Sequence, residues 1–406
     1  NIFPAVGHAN GGSSTVTWKA NFGQDSTFAG TVSAGGNADA NGFGDFKYAP
    51  PSGYVALCTA NLPISDDIDP AQTDDDIPSK QFGVVTYTGN GTARSFTGLG
   101  FQPDMLWIKM RNSGDHGKIT DSVRGVQKAL ISNTTGAETT DTNGVTAFGT
   151  DGFSIGSGNQ YNLNEYNFVA WCWRAGGTAS SNTDGTTTVS LSANPKAGFS
   201  IITYTGTGSA GATIGHGLSA KPAFIIVKNR TDTDSWAIYH ESIGADFYTA
   251  FSGAIFSNNA TFWNDTEPTT SVITLGTNNR VNGSSDNLVC YAWAQIEGYS
   301  KFGEFQGNGN ADGPFIYTGF RPRMLFIKRN ANSHYWKIFD TARNTNNLTD
   351  NSLSWDNTDA ESSSNGIDIL SNGFKLRNSN SSFNNSGSQF VYGAWGDVPF
   401  KYNNTF

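Results

Sequence analysis

The chain has 406 residues, too long for one typical domain and about right for three or four, with 37% hydrophobic, 13% aromatic and 15% charged residues. That much apolar side chain excludes a disordered polymer, and 48 glycines among abundant Asn, Ser and Thr favour turns and strand edges over helix interiors. A formal net charge of -9 excludes the clustered Lys and Arg of a nucleic-acid footprint.

In chain order, the start "NIFPAVGHANGG" has neither an initiator Met nor a signal-peptide pattern, so the sequence reads as a piece or processed product of something longer. Residues 1–61 carry "TVTWKANFGQDSTFAG" and "GDFKYAPPSGYVALCTANLP", a few strands that cannot close a sandwich alone, and read as the second half of a β-domain. Within them "NADANG" (37–42) imitates a calcium loop, but Tyr48 stands where the bidentate Glu belongs and no helix flanks it. A turn built on Asn and Asp side chains is expected instead. Residues 62–80 form an acidic linker punctuated by proline.

From residue 82 the sequence repeats itself. "FGVVTYTGNGT" (82–92) returns as "FSIITYTGTGS" (199–209) and, worn, as "FGEFQGNGN" (302–310). In each copy a Pro is followed six residues later by Lys and sixteen later by Ile: Pro103, Lys109, Ile119; Pro222, Lys228, Ile238; Pro322, Lys328, Ile338. Each copy closes on an aromatic strand, "NFVAWCW", "NLVCYAW" or "QFVYGAW", ending at Trp173, Trp293 and Trp395. The copies are too long for solenoid or propeller repeats of roughly 20 to 50 residues. Their short alternating runs of β-branched and aromatic residues predict an all-β protein of tandem antiparallel β-sandwich, jelly-roll-like domains.

Composition sets the boundaries at 81–176, 177–301 and 302–406. The second copy begins with a polar linker that holds a strand in "TTTVSLS", and the last two copies, with almost no spacer, are expected to pack together. "ITDSVRGVQKAL" (119–130) is the best candidate for a short helical turn, and Gly-Asn-Gly reads as hairpin chemistry requiring positive φ. Loss of "VVTYT" from the third copy leaves its first strand open.

The segment "NFGQ … FKYAPPSGYVALCTANLP" resembles the C-terminal end of SPRY-like domains in virion proteins of tailed bacteriophages. "GFSIITYTGTGSAGATIGHGL", "EGYSKFGEFQGNGNADGPFIYTGFRPRMLFIKR" and "LSNGFKLR" resemble uncharacterised repeat domains of large proteins in marine and other environmental phages. The resemblance implies a virion structural protein, fibre-like or tail-associated, and carries over no catalytic or binding residue.

Local patterns that invite chemistry fail on context. Gly152-Phe153-Ser154-Ile155-Gly156 fits the nucleophile elbow, which needs a strand, a sharp turn and a helix, but Ser154 aligns with Thr274 and Lys375 on an alternating strand. Glu241, Glu297, Glu304 and Asp340 are scattered rather than paired for glycan hydrolysis. The histidines lack ligand spacing, and Cys58, Cys172 and Cys290 suggest neither a zinc site nor a disulfide framework. No cofactor, metal or enzymatic activity is expected.

Aromatics are the remaining candidates. Trp173, Trp293 and Trp395 recur at one strand position, which means core. Trp263 with Asn264 and Asp265, and Trp355 with Asp356 and Asn357, sit in polar loops that would suit a sugar or host receptor; the alternative is that each indole covers the end of its own sandwich. The expected function is a virion appendage contacting the host surface, with other virion proteins as partners and a homo-oligomeric, trimeric assembly if it is a fibre. A capsid decoration protein and a polysaccharide depolymerase are the alternatives, and neither nucleic acid nor a membrane span is expected.

Overall fold

The computed structural model describes residues 20–58, 61, 77–251, 256–331, 334–363 and 366–396. The chain divides into two compact units, residues 1–65 and 66–406. Most of the expected acidic linker lies outside the described residues.

Among the described residues of the first unit, β pairing is confined to the isolated bridge between Asn37 and Phe46. The "NADANG" segment is the expected Asx turn. One Asp39 oxygen accepts the backbone N–H groups of Asn41 and Phe43, each at 2.9 Å, and the other accepts Ala56 N–H at 2.8 Å and the Asn61 amide at 2.6 Å. Those donors lower the Asp39 pKa against the opposing effect of burial.

The second unit is all-β, antiparallel and sandwich-like. Each copy of the repeat builds one large sheet in the same spatial order. An opening strand (Phe82–Thr88, Phe199–Thr205, Ser300–Gln306) pairs with the closing strand (Asn167–Trp173, Asn287–Ala294, Gln389–Gly396). The closing strand pairs in turn with an inner strand (Met105–Met110, Pro222–Asn229, Pro322–Arg329), and that with a flanking strand (Lys118–Asp121, Ala237–His240, Lys337–Asp340). Repeat three keeps its opening strand despite the eroded sequence, in the register Ser300 opposite Trp395. That strand starts two residues before the expected boundary, and the strand expected in "TTTVSLS" is Val189–Asn194.

A small sheet packs on one face of each large one: Arg94–Thr97 with Gly152–Ile155 and Val145–Gly149, Ala212–Gly215 with Val272–Leu275, and Phe315–Tyr317 with Gly373–Leu376 and Ile367–Leu370. These are shorter than the four-stranded halves of a jelly roll. Ser154 lies in strand Gly152–Ile155, its hydroxyl 2.8 Å from Ser95 Oγ, with no elbow. Residues 119–130 are likewise not helical: Lys118–Asp121 and Lys128–Ile131 are strands, because Asp121 Oδ1 caps the turn by accepting the N–H of Val123 and Arg124 at 3.1 and 2.8 Å.

Both faces of the large sheets are buried. In the closing strand of repeat one, Phe168, Ala170 and Cys172 point into the repeat's own sandwich core, whereas Val169, Trp171 and Trp173 point the other way. The second set meets its counterparts, Val289, Tyr291 and Trp293, and Val391 and Trp395, in one core shared by all three repeats. At its centre the three recurring tryptophans touch pairwise in edge-to-face geometry, with ring centroids 6.1, 5.6 and 6.1 Å apart. The repeats are therefore not separate beads: the packing expected of the last two copies extends to all three, which close into a ring.

The glycine-rich motif marks where the chain leaves the large sheet for the small one, so it is a crossover rather than a hairpin. Gly91, Gly208 and Gly309 adopt φ of 68°, 70° and 69°, which an L side chain rarely tolerates. Each turn is pinned by a buried Asn. Asn162 Oδ1 accepts Asn90 N–H at 3.0 Å, Asn282 accepts Thr207 N–H at 2.7 Å, and Asn384 accepts Asn308 N–H at 2.8 Å, while their amides donate back into the same loops.

Candidate functional site

The loops singled out for binding do bind, but inside the protein. Trp263 is 1% exposed within the sandwich core of repeat two, 6.0 Å from Tyr239 in edge-to-face contact. Asn264 and Asp265 follow it at φ of 53° and 46°, ending the short helix Ala260–Trp263 at the surface. Trp355 is also 1% exposed and stacks on Trp107 of repeat one at 4.3 Å with a 13° interplanar angle. Asp356 is buried and accepts Trp336 N–H at 2.9 Å, and the Asn357 carbonyl accepts the ammonium of Lys109 at 2.8 Å. Neither indole offers a ring face to a sugar. Trp263 covers its own sandwich, and Trp355 seals the seam with a neighbouring repeat.

Those seams carry the chemistry that single-repeat reasoning missed. Lys109, Lys228 and Lys328, the lysines of the repeat signature, are fully buried, and each donates to main-chain carbonyls. Two of them cross a seam, Lys109 to Asn357 and Lys228 to Thr135 at 3.2 Å. Burial pushes all three down to about 8, partly offset by nearby aspartates.

Between repeats one and two, Asp121 is ion-paired with Arg124, which also reaches Glu138 at 2.9 Å. Glu138 accepts Arg230 of repeat two at 2.9 Å, and Asp121 accepts the Tyr291 hydroxyl at 2.7 Å. Between repeats three and one the same set recurs: Asp340 with Arg343 at 2.6 Å, Arg343 with Glu361 at 3.1 Å, Glu361 with Arg111 at 2.8 Å, and Asp340 with the Trp171 indole N–H at 3.0 Å.

The third seam, between repeats two and three, is built differently. His240 replaces the aspartate, Ile243 the arginine that pairs with it, Asn330 the arginine across the seam, and Gly393 the Tyr or Trp donor. The glycine leaves room for the Phe302 and Phe326 rings, which stand edge-on to the imidazole; its Nε2 lies 3.1 Å from Tyr392 O while Nδ1 accepts Ser242 N–H at 3.3 Å. Both bonds fit a neutral ring, and burial pulls its pKa down to about 4. The signal lay in the three copies themselves: where two agree on a charged residue, the departures cluster on opposite sides of one seam.

Among the described residues, clefts open at two of the repeat junctions. One, of about 600 Å³, lies between repeats one and two and is lined by Lys80, Gln102, Asp104, Arg174, Asn194 and Lys196, among others. Its Asp104 carboxylate already accepts Ser122 Oγ, Gln102 Nε2 and the backbone N–H of Ala175 at 2.9, 3.0 and 2.8 Å. The other, of about 420 Å³, lies where repeat two runs into repeat three, between residues 295–301 and 317–319.

The fold and its seams define an all-β protein in which three intrachain repeats close into a pseudo-threefold body. Its sequence matches the domain of unknown function DUF7483 over residues 77–399, and the chain belongs to that family. No curated protein matches it. Among the described residues no group of three His, Cys, Asp or Glu side chains is arranged to hold a metal, and no helix is long and apolar enough to cross a membrane.

Proposed function

We propose that this chain is a non-enzymatic structural protein of a tailed-phage particle, a fibre-like or tail-associated appendage on the virion surface that contacts a host-surface glycan or receptor. The observation that carries the reading is the closed ring of three repeats around a solid aromatic core. A body whose shared interior is filled, and whose buried Asp, Arg, Glu and His side chains hold repeat to repeat, suits a rigid spacer or knob. Its partners would be other virion proteins and, in a fibre, further copies of itself in a homotrimer. The resemblance of its long motifs to phage repeat domains, and of residues within 1–61 to SPRY-like virion domains, supports the same assignment.

A capsid decoration role is the second reading, favoured by the pseudo-threefold form itself, which matches in shape a threefold position on a shell. Antibody labelling of purified particles separates the two: tail labelling supports the appendage, head labelling the decoration protein. Absence of the protein from particles by mass spectrometry defeats both. Depolymerase activity would appear as shortened glycan on incubation with host capsule or lipopolysaccharide, and none is expected.

A further inference from the structure

The strand Phe315–Tyr317 departs from its sisters on the side that faces away from the core. Its middle residue Ile316 packs inward opposite Phe374, as Phe96 does opposite Phe153 and Ile214 opposite Ile273. The outward positions flanking it are the exposed Ser95 and Thr97 in repeat one, whereas in repeat two residues 182–186 lie over Thr213 and bury Gly215. In repeat three they are Phe315 and Tyr317, 45% and 59% exposed. Folding does not ask for aromatic rings there, since the sheet of repeat one forms with Ser95 and Thr97 at the matching exposed positions, and exposing rings to water gains nothing from burial.

Tyr317 lines the 420 Å³ cleft at the junction of repeats two and three, and Phe315 extends the aromatic strip along the same strand face. Around the ring stand polar groups held by the fold. The Lys301 ammonium lies over one face of the Tyr317 ring, 5.9 Å from its centroid, the Gln295 amide is fixed by donating to Glu241, and Glu297 completes the rim. A flat ring with an ammonium over one face and an amide and a carboxylate at its rim, in a cleft of this volume, is matched to a pyranose stacked on the face away from Lys301. The ring takes the C–H face of the sugar and the rim takes its hydroxyls.

We infer that the cleft bounded by Tyr317, Lys301, Gln295 and Glu297, extended by Phe315, is a saccharide-binding site. It deepens the proposed contact with a host glycan and rests on that reading for its biological meaning, while the binding itself stands or falls on the purified protein.

The test is saturation-transfer difference NMR on the full chain with the methyl glycosides of glucose, galactose, N-acetylglucosamine and glucuronic acid. At least one should show saturation of its ring protons. Tyr317→Thr and Phe315→Ser, which install the residues of repeat one and so preserve the sheet, should weaken that binding about tenfold, the equivalent of losing one ring contact. Tyr335→Ser removes another exposed tyrosine, with Lys337 6.0 Å from its ring, and should leave binding unchanged. No saturation with any of the four sugars, or equal binding by all three variants, overturns the assignment. If the two strand variants instead abolish self-association in sedimentation without altering sugar signals, the strip is a contact between copies and the saccharide site is refuted. Particle mass spectrometry reports separately on the virion reading, so a sugar-binding protein absent from virions and a virion protein without sugar binding are distinct outcomes.

Discussion

His240 shows how one residue can record its neighbours. It occupies the position of Asp121 and Asp340, but its seam partner offers a main-chain carbonyl where theirs offer Tyr or Trp donors. An aspartate there would face a carbonyl with no donor, and an imidazole N–H resolves the conflict. With a folded pKa of about 4 against an ordinary value of 6.5, the folded protein refuses a proton that the unfolded chain accepts. Stability from this group is complete above pH 6.5 and is lost as pH falls toward 4, by on the order of 3 kcal/mol. Urea unfolding at pH 7 and pH 5 should reveal the loss, and His240→Gln should flatten that part of the pH dependence. An unchanged slope in the variant would mean the ring is not held neutral.

At the scale of the element, the closing and inner strands explain why the repeats cannot stand apart. Runs such as "MLWIKM" and "NFVAWCW" are apolar on both faces, as strands covered on both sides must be. The seams then fix which strand meets which. Arg343 lies in the buried seam between repeats three and one, its guanidinium pairing with Asp340 and Glu361, so Arg343→Met leaves Asp340 without its cation and Glu361 with Arg111 alone. A cost of about 3–5 kcal/mol is expected in chemical denaturation. Ile243 already stands at the matching position of the third seam, where the acid has become a histidine. Arg343→Met made together with Asp340→Asn should therefore recover part of the loss, by removing the stranded charge while Glu361 keeps Arg111. A single variant as stable as the parent would show that the network contributes little.

For the whole molecule, the shared core couples the three repeats. Trp173, Trp293 and Trp395 come from different repeats, and removing any one repeat would expose the other two. Residues 77–396 should thus melt in one calorimetric transition, with the calorimetric and van't Hoff enthalpies equal. Three resolved transitions would restore the picture of independent beads. A segment covering residues 177–301 alone, whose inward face would bare Phe224, Tyr291 and Trp293, should fail to give a sharp unfolding transition and should aggregate.

Much of this was legible in the residues. The register of Pro103, Pro222 and Pro322 with their following Lys and Ile determined three copies of one unit. Short β-branched and aromatic runs between glycines determined the all-β class, and recurrence of Trp173, Trp293 and Trp395 marked them as core, because such local patterns follow from backbone geometry and side-chain period. Only the tertiary structure decided that the three tryptophans meet one another, that Trp263 and Trp355 are buried, and that Phe315 and Tyr317 are not. Alternation along a strand says that a face is apolar but not what covers it. The first half of a polar-looking stretch such as "SWDNTDA", Ser354 to Asp356, becomes interior when a neighbouring repeat folds over it. What covers a face is set by contacts between residues hundreds of positions apart, which no local pattern encodes.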